Sequence, residues 1–201
     1  MNFHNKMTKK IFSIAYFPPL DYLFDMKNSD FVFIETHENY RKQTCRNRAT
    51  ILTGNGLYDL IIPVARNGAK LIKEIQIDNS YPWQRLHWKT IESAYNNSPF
   101  FLYYRDFFEP FFQKKYTFLF DLNLELLHLL RMLFSITNPI SFTESFEINP
   151  QNMEDLRDSF LPQTRTFRHK KIEYQQVFSD RFNFAENLAC IDYLFTTGKD
   201  F

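Results

Sequence analysis

The chain of 201 residues carries almost balanced charge, with 24 Lys and Arg against 23 Asp and Glu and a formal net charge of +1. Because proteins bind nucleic acid largely by neutralising phosphates with an excess of basic side chains, this balance argues against a nucleic-acid partner. The hydrophobic share of 44% and the charged share of 23% are those of a globular protein. The length fits one domain, which we expect to span residues 1–201.

The cysteines and the first apolar run bear on the cellular compartment. Cys45 and Cys190 are far apart and form no closely spaced ligand pair, so the sequence predicts no structural zinc site. Residues 11–17 are apolar but end at Pro18 and Pro19 without the small residues of a cleavage site, which argues against a signal peptide. No stretch reaches the ~20 apolar residues of a membrane helix. We therefore expect a complete, cytoplasmic protein.

The first 35 residues predict a β-α-β unit. Residues 11–17 and 31–35 are apolar runs rich in β-branched and aromatic side chains, which is typical of buried strands. Between them, Pro19 suits the start of a helix over residues 20–27. Two strands joined by one short helix indicate parallel pairing with a right-handed crossover.

A β-hairpin is predicted near residues 46–64. Gly54-Asn55-Gly56 lies between two runs, 48–53 and 57–64, and such a glycine-rich pair of turn residues favours a tight hairpin turn. The alternation of apolar and polar residues over 71–78 predicts a further half-buried strand.

Apolar residues at helical spacing predict a mainly helical second half. The predicted helices span about residues 80–96, a short segment within 100–112, residues 117–135, and residues 186–197 before Gly198. Short strands are predicted at 140–142 and 174–178. We expect the fold class to be α/β (mixed α+β), a single domain with a mixed β-sheet and flanking helices.

Four groups of residues carry a family resemblance. They are Ala15-Tyr16-Phe17-Pro18-Pro19-Leu20-Asp21-Tyr22 with the strand at Asp30; Asn39-Tyr40-Arg41-Lys42 with Arg46-Asn47-Arg48 and Pro63; Ile75-Gln76-Ile77-Asp78 with Trp83, His87, Ile91, Tyr95 and Ser98-Pro99-Phe100-Phe101; and Asp192-Tyr193-Leu194-Phe195 with Gly198. Together they resemble the WbqC-like protein family.

The resemblance implies a role in bacterial surface-polysaccharide (O-antigen, lipopolysaccharide) assembly, where an amino-acid transfer has been suggested for the family. Many members carry a His-Gln pair before the first proline motif, where this chain has Ala15-Tyr16-Phe17. If that pair is catalytic in those members, this protein performs different chemistry or none. A family name by itself does not establish a reaction.

The polar segment after the second predicted strand is the main candidate binding site. In open α/β sheets, ligands bind beyond the carboxyl ends of the strands. Arg46 and Arg48 would share one face of a strand and form a two-arginine clamp for a phosphate, pyrophosphate or carboxylate. The alternative is a solvated loop with ordinary salt bridges. The candidate substrate-binding residues here are Asn39, Tyr40, Lys42, Arg46, Asn47 and Arg48.

Two histidines are acid–base candidates, His37 in this segment and His87 on the predicted helix over 80–96. His87 lies four residues after Trp83 and therefore shares its helix face; the alternative is a histidine packed on Trp83 and bonded to a backbone carbonyl. Asp78 would orient His87 or cap a turn. Three aromatic side chains are expected to wall the pocket: Tyr16, Trp83 and Tyr95.

Two hypotheses for function follow. The first is a transferase-type enzyme with an anionic small-molecule substrate, such as a nucleotide-linked sugar or a carboxylate; no cofactor or metal can be assigned. The second is a non-catalytic module that binds a protein partner in the same pathway. The second hypothesis predicts an exposed aromatic patch. Its members would be Phe100, Phe101, Phe107, Phe108, Phe111 and Phe112.

Overall fold

The structure is a computed structural model that describes residues 7–161, 168–169 and 172–199. The predicted domain limits at residues 1 and 201 lie outside this range. The strands are β1 (Lys9–Ser13), β2 (Phe31–Glu35), β3 (Arg48–Thr53), β4 (Gly56–Ile61), β5 (Ile140–Phe142) and β6 (Glu154–Asp155). The helices are α1 (Leu20–Lys27), α2 (Trp83–Tyr95), α3 (Phe101–Gln113), α4 (Leu119–Leu133) and α5 (Cys190–Thr197).

Four strands form a parallel sheet in the order β5-β2-β1-β6. Strands β1 and β2 are joined by α1, so the predicted β-α-β unit is confirmed. In their register Ser13 lies opposite Glu35, and both strands end there, which brings these two polar side chains to the same edge of the sheet. Strand β1 ends at Ser13 rather than at residue 17, because β2 offers no further partner beyond Glu35. Residues 14–17 instead enter the core.

The second sheet is the predicted hairpin, in which β3 and β4 pair antiparallel over their whole length. Gly56 adopts φ of 98°, a left-handed conformation that glycine reaches without strain, and so allows the chain to reverse. The fold-class prediction is confirmed as a mixed α/β single domain, with the parallel and antiparallel pairings in separate sheets.

Two predicted strands are wrong. Residues 72–74 form a short 3₁₀ turn, and Ile72, Ile75 and Ile77 are all buried, so the apolar alternation over 71–78 is satisfied without a ladder. The described residues 172–178 form no strand. There the side chain of Gln176 replaces a strand partner, because it exchanges two hydrogen bonds with the backbone of Ala185.

The helices differ from the predictions mainly at their ends. Helix α3 is a full 13-residue helix despite Pro110 within it. Helix α5 begins at Cys190, not at residue 186, because Ala189 is held extended by hydrogen bonds from its N–H to Thr50 and from the N–H of Cys190 to Pro18. None of the helices within the described residues combines the length and the apolar character needed to cross a membrane.

Phenylalanines form much of the core where α2, α3 and α5 meet. The ring of Phe195 lies 5.2 Å from that of Phe101 and 5.5 Å from that of Phe108, both edge-on. Edge-on ring pairs are favourable beyond the area that they bury. The large number of phenylalanines is therefore explained in good part by packing between these helices.

Candidate functional site

A polar cleft of about 330 Å³ lies beyond the carboxyl ends of the parallel strands. Residues following β2 and β5, and residues in and after β6, contribute its walls, while Ser13 at the end of β1 hydrogen bonds to Arg46 below it. Ligands of α/β proteins bind at this edge. The lining residues are His37, Glu38, Asn39, Arg41, Arg46, Phe146, Ile148, Asp155, Arg157 and Asp158.

Arg46 is fixed beneath the cleft by a buried carboxylate. Its Nε and Nη2 donate to the two oxygens of Glu38 at 2.8 and 2.5 Å, and Nη2 also donates to Ser13 Oγ at 2.6 Å. Nη1 donates to Thr44 Oγ1 at 3.2 Å. Burial alone lowers the pKa of Arg46, but the hydrogen bonds and charge of Glu38, together with the nearby Asp158 and Cys45, leave the pKa raised. Arg46 is thus a permanently charged group whose donors are largely engaged.

Arg48 lies outside the cleft. Strand β3 begins at Arg48, so the strand geometry assumed for residues 46–48 is wrong, and Arg48 Nη1 lies 3.3 Å from Asp59 across the hairpin. The buried Asn47 donates through Nδ2 to the carbonyl of Ile62 at 3.0 Å and so secures the end of the hairpin. The two arginines bind different carboxylates and do not form the expected two-arginine clamp.

Arg157, which the sequence analysis missed, supplies a second fixed guanidinium group. Its Nε and Nη2 donate to both oxygens of Asp155, and Nη1 donates to Glu35 Oε2 at 3.0 Å. The hydrogen bonds to Asp155 raise the pKa of the Arg157 guanidinium group. The sequence signal that could have indicated Arg157 was its position between two aspartates, in Asp155-Leu156-Arg157-Asp158. The surrounding residues show no helical or strand periodicity that would have placed this segment in the fold.

The exposed cation of the cleft is Arg41. Its side chain is 58% exposed, and Nη1 lies 2.5 Å from Asp158 Oδ2. Asn39 is exposed at the cleft and Lys42 is exposed nearby. Tyr40 is half-buried and packs against the core; burial raises the pKa of its hydroxyl to about 12. Of the predicted binding residues, the cleft therefore gathers Asn39 and Arg46, together with His37.

The hydrogen bonds of His37 define its tautomer. The Thr36 hydroxyl lies 2.9 Å from His37 Nδ1 and 3.0 Å from the carbonyl oxygen of Thr143. A carbonyl oxygen only accepts, so the single hydroxyl proton of Thr36 is donated to it, and the hydroxyl oxygen accepts the proton of Nδ1. In neutral His37 the lone pair then lies on Nε2. Within the described residues no hydrogen bond reaches Nε2, which is available to accept a proton.

The other histidine candidate, His87, is packed in the core away from the cleft. Its Nδ1 lies 3.0 Å from the Tyr16 hydroxyl, its ring meets Trp83 edge-on at 5.2 Å, and it hydrogen bonds to the backbone of Ile61. Burial lowers the pKa of His87 to about 4, so it is neutral at physiological pH. This arrangement matches the packed-histidine alternative, and we leave His87 out of the proposed site.

The remaining predicted residues also lie elsewhere. Tyr16 and Trp83 are buried beside His87, and the Tyr95 hydroxyl donates to Asp192 at 2.7 Å. Asp78 accepts hydrogen bonds from the backbone N–H and the hydroxyl of Ser80, which is the turn role considered above. These four side chains do not wall the cleft.

Neither thiol is placed to react. Cys45 Sγ donates to the carbonyl of Phe160, and burial raises the pKa of its thiol to about 12. Burial likewise raises the pKa of Cys190. Among the described residues, no three His, Cys, Asp or Glu side chains are grouped so as to hold a metal ion.

Fold and site together define an α/β protein with an arginine-lined cleft at the carboxyl edge of a parallel sheet. A model of the WbqC-like protein family matches residues 15–164, well over half of the chain, and the protein belongs to that family. The match ends before α5, so the resemblance at residues 192–198 stays a prediction. Searches of curated proteins and of solved structures found no match.

Proposed function

We propose that the protein is a transferase-type enzyme of bacterial surface-polysaccharide (O-antigen-like, lipopolysaccharide) biosynthesis that acts in the cytoplasm. The observation that carries the proposal is the cleft, which places His37 and three arginines at the carboxyl edge of the sheet. Family membership supports the pathway. The substrate would carry an amino-acid or sugar-linked group on an anionic handle.

The charges of the cleft favour a small carboxylate over a polyphosphate. The three arginines of the lining are balanced by three carboxylates, so no net positive charge is left for a pyrophosphate. A cavity of about 330 Å³ also lies at the lower end of the range for ligand pockets, about 300–1,000 Å³. Of the two ligands considered from sequence, a carboxylate therefore fits better than a nucleotide-linked sugar. The charges in balance are Arg41, Arg46 and Arg157 against Glu38, Asp155 and Asp158.

The roles of the side chains follow from their ion pairs and their exposure to solvent. Arg46 and Arg157 are held by buried carboxylates and give the site a preorganised positive frame. Arg41 is exposed and supplies the N–H groups that bind the anion. His37, whose Nε2 carries a lone pair, removes a proton from the attacking amine or hydroxyl.

A thermal-shift screen tests this proposal, with amino acids, nucleotide sugars, nucleotides, acyl carriers and phosphate as ligands. A ligand that binds only the folded state adds about 2.7 kcal/mol at 100 times its Kd. Arg41→Gln should weaken that ligand about tenfold, since it removes a charged hydrogen bond. Arg85→Gln, which changes an exposed arginine on α2, is the matched control.

Silence across the panel, or equal losses in both variants, would contradict the proposal. Arg46→Ala is a poor test, because it would leave the buried Glu38 carboxylate without its partner and would unfold the site.

The second candidate function, a module that binds a protein partner, keeps some support. Of the six phenylalanines predicted to form a patch, Phe101, Phe108 and Phe112 are buried, so the patch as predicted is wrong. A groove of about 380 Å³ nevertheless lies between α3 and α4, with exposed Tyr103 and Met132 in its walls. If this function holds, Tyr103→Asp should abolish binding of a purified partner and leave anion binding at the cleft unchanged.

A further inference from the structure

One carboxylate of the cleft bridges two arginines as a bound ligand would. Asp158 Oδ2 lies 2.5 Å from Arg41 Nη1, and Oδ1 lies 3.7 Å from Arg46 Nη2. Each oxygen thus faces a different guanidinium group. A carboxylate or phosphate from solution would make the same two contacts.

Asp158 differs from the other carboxylates of the cleft in how weakly it is held. Glu38 is buried and bonded to two nitrogens of Arg46, and Asp155 is bonded to two nitrogens of Arg157 and to its backbone N–H. Asp158 is 55% exposed, and within the described residues its ion pairs are those with Arg41 and Arg46. The pair with Arg41 has both side chains exposed, and exposed ion pairs are weak and easily exchanged for another anion.

Neither arginine is left as a buried, unpaired charge when Asp158 leaves. Arg46 keeps its hydrogen bonds to Glu38, Ser13 and Thr44 when Asp158 leaves, so no buried charge loses its partner. Arg41 is exposed and is solvated by water when it is free. The displacement therefore ends the exposed ion pair with Arg41 and the 3.7 Å contact with Arg46, and it leaves the buried hydrogen-bond network intact.

We propose that Asp158 occupies the subsite for the substrate's anionic group and is an internal competitor that the substrate displaces. The proposal rests on the anion-binding function proposed above and specifies which two arginines receive the anion. The ligand group has two oxygens on one centre, as in a carboxylate or a phosphate monoester. Displaced Asp158 moves into solvent, and its negative charge at the mouth then selects against more highly charged ligands.

The substitution that separates competition from structure is Asp158→Asn. It keeps the shape of the side chain and removes its charge, so the ion pairs with Arg41 and Arg46 are lost while Arg46 stays bonded to Glu38. We expect anion affinity to rise about two- to fivefold, the fold-change that corresponds to an exposed ion pair. Asp106→Asn makes the same change in an 86% exposed side chain on α3, beside Arg105, and is the matched control.

The experiment titrates wild type, Asp158→Asn and Asp106→Asn with acetate in one arm and inorganic phosphate in the other. Chemical shifts of the His37 ring and of the Arg41 backbone amide report binding at the cleft. Tighter binding in Asp158→Asn alone supports the proposal, and the arm with the larger gain identifies carboxylate or phosphate. Equal or weaker binding in Asp158→Asn overturns it but leaves the anion cleft standing. Absence of binding in wild type and in Asp158→Asn overturns both.

Discussion

At the scale of single residues, the buried pair of Arg46 and Glu38 combines a large cost of desolvation with a large mutual attraction. Both side chains are at most 5% exposed, and two N–H groups of Arg46 meet the two oxygens of Glu38. A pair of this kind stabilises the fold little relative to an apolar pair, but each partner depends on the other. Single and double substitutions should therefore have very different effects.

Arg46→Ala should lower the free energy of unfolding by about 3–5 kcal/mol, because Glu38 would remain buried without a cation. Arg48→Ala, which breaks a partly exposed pair with Asp59, should cost about 1 kcal/mol or less. Urea denaturation of both variants measures the difference. The double variant Arg46→Met with Glu38→Leu should recover most of the loss; a double variant as unstable as Arg46→Ala would refute this account.

The Thr36 hydroxyl should control the tautomer of His37. Thr36→Val keeps the shape of a side chain that is 1% exposed but removes the acceptor for Nδ1–H, so the Nε2–H form should become populated. Long-range ¹H–¹⁵N NMR spectra of the imidazole identify which nitrogen carries the proton. The stability cost should be about 1–3 kcal/mol, because the Thr36 hydroxyl also donates to the carbonyl of Thr143 and both hydrogen bonds are lost. A wild-type ring protonated mainly at Nε2 would contradict the assignment.

The sequence predicted part of this site and misplaced the rest for identifiable reasons. His37 and Arg46 were found because a polar segment follows a clearly apolar strand. Arg157 could not be connected to Glu35, since 122 residues separate them and only the sheet order brings them together. The core position of His87 was readable, because Trp83, His87 and Ile91 repeat every four residues along one buried helix face.

At the scale of elements, turn chemistry was more predictive than apolar alternation. The glycines at the β3–β4 turn predicted the hairpin, because few residues adopt the left-handed conformation found at Gly56. Alternation over 71–78 failed, since residues 72–74 form a 3₁₀ turn and Ile72, Ile75 and Ile77 are buried without strand pairing. Strand β6 is only two residues long and forms by pairing with β1. Two charged residues carry no apolar pattern from which a strand could be predicted.

Helix α5 is attached to the domain by a buried carboxylate that titrates. Tyr95 on α2 and Tyr174 donate to the two oxygens of Asp192 at 2.7 Å each. Burial raises the pKa of Asp192 from 3.8 to about 6. Between about pH 4 and 6 the folded protein holds a proton that the unfolded chain has released, so stability falls as the pH rises through this window.

Asp192→Asn should remove that fall, because the amide cannot ionise. Two pKa units correspond to about 3 kcal/mol lost by wild type between pH 4 and 6. Urea midpoints of both proteins across this range give the comparison, and the difference between them isolates Asp192 from the other carboxylates. Profiles that run parallel would show that Asp192 is not the titrating group.

At the scale of the whole molecule, the aromatic core and the polar cleft are carried by different segments. The rings of Tyr95, Phe101 and Phe108 surround Phe195 at centroid distances of 5.2 to 5.5 Å. The cleft is built from loops at the carboxyl edge of the parallel sheet, and none of these four rings lines it. Packing strength and ligand affinity should therefore be separable by mutation.

Phe195→Ala should lower the free energy of unfolding by about 3–5 kcal/mol, since it leaves a cavity among three other rings. Phe107 lies on α3, which packs against α5, and its side chain is 42% exposed, so Phe107→Ala should lower the free energy of unfolding much less. Below its own melting temperature, Phe195→Ala should bind a cleft ligand with the wild-type Kd. None of these four rings lines the cleft. A large loss of affinity in the folded variant would therefore contradict the separation of core and cleft.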